Sequence, residues 1–200
     1  MSFGTHFASR CPYSNRMGEI SAMTGNEAQG RANFGAGPDV TDGGFTSTYR
    51  KLVRGKNINE NTLLATDYLN HFNAIVMVIE MVPSMPECLE DAMEWRPKTY
   101  KQHFLDSGFA HRELAISAYE NSPAKFRAPF DRTILHMNNV VRDGVRAIED
   151  ANESEDFELL ETTVRAVSQN IRKCIGLASA IIHGDEQTID QAQIDSIMVP

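Results

Sequence analysis

Residues 157–183 read FELLETTVRAVSQNIRKCIGLASAIIH. Phe157, Leu160, Val164, Val167, Ile171, Cys174, Ala178 and Ile181 fall at alternating spacings of three and four. That alternation keeps the apolar side chains on one face of a helix and makes a heptad seam. At the α-helical rise the segment would be roughly 40 Å long. Gly184 follows directly and terminates the helix. A seam of this length must be covered by other helices of the chain, by a second copy, or by both.

The preceding segments supply candidate partners. Ser122-Pro123 opens a second long helix, with a kink expected at Pro129 and a seam of Phe126, Phe130, Ile134, Met137, Val141, Val145 and Ile148. The acidic stretch EDANESED, residues 149–156, turns the chain. Earlier, Leu64, Tyr68, Phe72, Ile75, Ile79 and Val82 repeat at helical spacing until Pro83 stops them. Ser84 can cap a short helix, with Glu87 closing a capping box and Pro86 tolerated in the first turn. Residues 98–108 and 109–123 make two more short helices, and no stretch alternates at period two. The expected architecture is all-α: a bundle of five or six helices over residues 49–184. Residues 1–48, rich in Gly, Asn, Ser and Thr, read as a mobile N-terminal arm, and residues 185–200 as a linker and a short amphipathic docking helix.

Composition narrows the partners. Two hundred residues with 42% hydrophobic content can bury a real core. A formal net charge of −8 argues against nucleic acid or an anionic membrane, whose phosphates are bound by clustered Lys and Arg. The basic run of Arg50, Lys51, Arg54 and Lys56 reads as a solvated linker. Cys11, Cys88 and Cys174 form no metal-spaced pair and suit reduced thiols. The first residues show no apolar secretory core, and the apolar run Ala74–Val82, broken by Glu80, is about half the ~20 residues a membrane span needs. A cytoplasmic protein with no cofactor is expected.

Polar constellations are few. Asp67, Asn70 and His71 stand at i, i+3 and i+4 and would share a helix face. A carboxylate beside an imidazole can act as an acid–base pair or as half a metal site, or can simply fix helix packing. A site built across helices would draw on Asp67, His71, His136 and Asp143. No Glu-x-x-His or His-x-x-x-His pair occurs, and no GxSxG, P-loop or dinucleotide fingerprint.

The tail reads TIDQAQIDSIMVP. Asp190 can serve as N-cap, Gln193 closes a capping box, and Ile194 can staple back on Ile189. Ile194, Ile197 and Met198 then form one apolar edge. A helix this short is marginal alone in water. Such a segment either folds back on its own bundle or orders when docked in a groove.

The stretch QAQIDSIM resembles the response-regulator-binding peptides of bacterial chemotaxis, found at the N-terminus of the flagellar motor switch protein and the C-terminus of the helical phosphatase CheZ. Gln191, Gln193, Ile194, Asp195, Ile197 and Met198 match that pattern. The resemblance covers about eight residues and implies that Ile189–Met198 binds a receiver domain, with modulation of its phosphorylation as a further implication. CheZ-like catalysis uses an Asp with a Gln four residues on. Gln169 can match the Gln, but Arg165 stands at the acidic position. Asp67-x-x-Asn70 is similar to the acidic-x-x-Asn pair of other response-regulator phosphatases, in a different part of the chain. Gln169 or Asn70 could orient a water in line with an acyl phosphate. Three readings stay open: a signalling protein docking through its tail, a metal-binding enzyme or sensor around Asp67, Asn70 and His71, and an oligomeric scaffold. A homodimer is expected, because the seam and the methionine-rich first helix offer more apolar surface than one small domain covers.

Overall fold

In the computed structural model the backbone is described for residues 42–185 and the side chains for 47–185. Among these residues there are seven α-helices and no strand: α1 (Asp42–Val53), α2 (Asn70–Met81), α3 (Cys88–Glu94), α4 (Tyr100–Asp106), α5 (Arg112–Glu120), α6 (Ala124–Glu153) and α7 (Phe157–His183). A 3-10 turn, Thr66–Leu69, leads into α2. The all-α expectation holds.

The two long helices fold back on each other across Ser154–Asp156, where Glu155 takes a positive φ of 57°. Asp156 caps α7 by accepting from the Leu159 N–H at 3.0 Å. At the far end Gly184, φ 79°, donates to the last turn of α7. Gly144 is buried where α6 crosses α7, and a γ-methyl of Val167 occupies the space a Cβ would need. The seam is covered within the chain: Leu160, Val164, Ile171, Cys174, Ala178 and Ile181 are buried. Only Phe157, 63% exposed, stands clear of it. The seam itself therefore leaves little surface that calls for a second copy.

α2 lies along α7, α3 bridges α2 and α6, and α4 pairs with α5. Tyr68, Phe72, Phe104 and Phe130 form the aromatic centre, with the Tyr68–Phe130 ring centroids 5.9 Å apart. The buried tyrosine hydroxyls here are satisfied: that of Tyr68 donates to the Lys98 carbonyl at 2.7 Å, and that of Tyr100, whose ring lies 5.2 Å from Tyr68, accepts from the Ala65 N–H at 2.9 Å.

Short local signals specify helix ends less firmly than the long seams do. α1 begins at Asp42, inside the stretch expected to be an arm, and carries Arg50 and Lys51 in its last turn. What holds it is tertiary: Val53 is buried and the Tyr49 hydroxyl meets Ser117 Oγ of α5 at 3.0 Å. The expected cap at Ser84 does not form. Its hydroxyl turns back to the Met81 carbonyl at 3.0 Å, and α3 starts after an uncapped Glu87. That is the competing local hydrogen bond open to any Ser next to a helix end. By contrast α4 carries a complete capping box between Thr99 and Gln102. No helix among the described residues is long and apolar enough to cross a membrane.

Candidate functional site

Asp67 lies in the 3-10 turn and Asn70 opens α2. Together with Asn57, Thr66, Asn73 and Ser179 they line an open pocket of about 370 Å³, walled by Leu69 and by Ile175 of α7. Asn57 reaches Asp67 from a left-handed backbone, φ 57°, and its side-chain amide donates to the carboxylate. Burial pushes the Asp67 carboxyl above the usual carboxylate range, and the Asn57 hydrogen bond works against that shift. The pocket thus offers one carboxylate, three amides and two hydroxyls.

His71 does not join it. Its ring stacks on Trp95 with centroids 4.9 Å apart and planes 21° apart, and lies 6.3 Å from His103. Burial, then the neighbouring His103 and Lys98, pull its pKa down to about 4, against a hydrogen bond to the Arg96 backbone. His71 Nε2 and Trp95 Nε1 are buried without a hydrogen-bond partner. The imidazole hydrogen-bonded to the Asp67 backbone is His103, on α4. The sequence placed Asp67 and His71 on one α-helical face. A 3-10 step turns by about 120° where an α step turns by about 100°, so a turn before Asn70 swings the two residues apart.

The other candidates lie elsewhere. His136 is half-buried on α6, and Asp143 is exposed with Arg146 at 3.9 Å. Among the described residues no three of His, Cys, Asp and Glu gather where they could hold a metal ion. Asp67, His71, His136 and Asp143 are therefore not brought together as a metal-binding group. Gln169 is exposed on α7 and lines a separate groove with Arg165, Ser168 and Arg172. There Glu80 takes a bidentate pair from Arg172, with Nη2–Oε distances of 2.8 and 2.9 Å. Ile189, Gln191, Gln193, Ile194, Asp195, Ile197 and Met198 lie outside the described residues.

Sequence reasoning missed Asn57, Asn73 and Ser179 as neighbours of Asp67 and Asn70. Asn73, three residues after Asn70, was visible as a continuation of the face. Asn57 and Ser179 reach the pocket only through tertiary packing. No family model, no curated protein and no solved structure matches this chain.

Proposed function

We propose that this chain is a cytoplasmic helical signalling protein that engages a receiver domain through residues 189–198, and that the pocket at Asp67 and Asn70 faces the docked receiver. The observation that carries the reading is the Gln-x-Gln-Ile-Asp-x-Ile-Met pattern of residues 191–198, set beyond the glycine cap of α7.

Geometry favours Asn70 over Gln169 as the amide that would meet a tethered receiver. Ser179, on the wall of the Asp67 pocket, is about 7 Å along α7 from Gly184, whereas Gln169 is roughly 22 Å away. Residues 185–189 extend at most ~18 Å. A receiver held by the tail can rest on the near pocket with the linker slack. There the Asn70 amide would orient a water in line with an acyl phosphate, and the Asp67 carboxylate would hold a cation or lysine of the regulator.

The test is titration of receiver domains with the full chain and with a chain ending at Gly184. Loss of at least about tenfold in affinity on truncation supports the reading. Equal binding by both removes the tail from the argument. With Asn70→Ala the receiver should still bind, but any acceleration of its phosphate loss should vanish.

A further inference from the structure

The Asp67 pocket holds a carboxylate with no cation beside it. No Lys, Arg or His is among the residues that line it. The groups that move the Asp67 carboxyl are its burial, the Asn57 amide and its own backbone N–H, and none of them is a positive charge. Basic side chains on the flanking segments are held elsewhere: Arg54 pairs with Glu60 at 3.4 Å and Arg172 with Glu80 at 2.8 Å. A half-buried carboxylate at the wall of an open pocket favours a ligand that brings the missing charge.

We propose that this pocket binds a primary ammonium group carried on a short alkyl chain. The inference deepens the reading of the pocket as the place where Asp67 meets a cation, by naming the chemical class of that cation, and its test needs no receiver.

The lining selects among cations. A divalent metal ion needs a richer set of charged ligands, and among the described residues no three of His, Cys, Asp and Glu gather to supply one. A guanidinium binds best through two parallel bonds to one carboxylate. Here one carboxylate oxygen, Oδ2, already accepts from the Asn57 amide. A quaternary ammonium is held by aromatic faces, and no aromatic residue lines the pocket.

A primary ammonium is a compact charge with three N–H donors. Asp67 can accept one of them, and the side-chain oxygens of Thr66, Asn70, Asn73 and Ser179 stand around the same space for the others. Among the described residues those four side chains make no hydrogen bond within the chain, so their oxygens are open to a ligand. Leu69 and Ile175 supply the apolar wall on which the methylenes lie. The Asn57 hydrogen bond fixes the carboxylate before any ligand arrives, which lowers the ordering cost of binding.

The experiment adds n-butylammonium chloride to the full chain at constant ionic strength and follows the Asp67 carboxyl and the Asn70 and Asn73 side-chain amides by NMR. Saturable shifts at all three are expected, with a Kd on the order of 1 mM. n-Butanol has the stem without the charge, and tetramethylammonium the charge without the donors. Each should bind at least about tenfold more weakly than n-butylammonium. Asp67→Asn should weaken n-butylammonium by at least about tenfold, and Asn73→Ala, at an exposed position of α2, by about threefold. Circular dichroism checks folding, and if Asp67→Asn does not fold, Asn73→Ala decides. Shifts that never saturate, an n-butanol response equal to that of n-butylammonium, or binding unchanged in the folded variants overturns the proposal. Nα-acetyl-lysine amide separates two sources of the same chemistry. Binding of n-butylammonium alone assigns the pocket to a free amine, and binding of the lysine analogue as well assigns it to a protein side chain; either supports an ammonium site. A receiver that never binds removes the signalling reading and leaves this site standing.

Discussion

The hydroxyl of Thr62 donates to the carbonyl of Ile182 at 2.6 Å, joining a loop before α2 to the last turn of α7. The Thr62 carbonyl accepts in turn from the Ser122 hydroxyl at 2.6 Å, at the start of α6. Ile182 contributes one of the final carbonyls that a helix cannot satisfy for itself. Three segments far apart in the sequence are thus closed by two buried hydrogen bonds, beside the Gly184 cap of α7.

Thr62→Val keeps the volume at this junction and removes the donor. It should destabilise the fold by about 1–3 kcal/mol, the cost of an unpaired buried carbonyl. Chemical denaturation checks this, and a midpoint equal to wild type would show that the Ile182 carbonyl finds another donor.

The crossing of α6 and α7 at Gly144 and Val167 predicts a second loss. Alanine at a helix interior gains about 1 kcal/mol over glycine, but overpacking costs roughly 1–3 kcal/mol. Gly144→Ala should therefore be mildly destabilising in spite of its better propensity. Val167→Ala in the same chain should relieve the clash, and the double-mutant cycle should show coupling between the two sites.

Stability should depend on pH through His71. Its folded pKa of about 4 lies below the unfolded value near 6.5, so between those values the unfolded chain binds the extra proton. The contribution is full above about pH 6.5 and is lost as pH falls towards 4, amounting to roughly 3 kcal/mol. His103, also lowered by burial, adds to the slope, and Asp67, raised by burial, opposes it. His71→Phe preserves the stack on Trp95 and should flatten the profile between pH 7 and 4.5. An unchanged slope would assign it to other groups.

Asn57 has two separable roles at the Asp67 pocket. Its φ of 57° favours glycine or asparagine, and its amide holds the Asp67 carboxylate. Asn57→Gly keeps the backbone while deleting the hydrogen bond, so the Asp67 pKa should rise further. Asn57→Ala should have the same effect on Asp67 and in addition destabilise the chain by about 1–2 kcal/mol. Carboxyl NMR titration of both variants reads the first effect, and their unfolding curves the second.

Periodicity alone determined the helical class, the seams of α6 and α7, and the stop at Gly184, because a pattern repeated over many turns accumulates signal and each residue is read against its own neighbours. It also carries the tail pattern on which the proposed partner depends. Packing decided what a local pattern cannot hold: that Tyr49 and Val53 draw residues 42–53 into a helix, that a 3-10 turn parts Asp67 from His71, and that Asn57 and Ser179 come to stand beside Asp67 and Asn70. It also decided that the long seam is buried within one chain, leaving Phe157 exposed where α2 falls short of α7. Helix length and face are properties of a segment. Which faces meet depends on how segments of unequal length share one core, and that is settled only when all of them pack together.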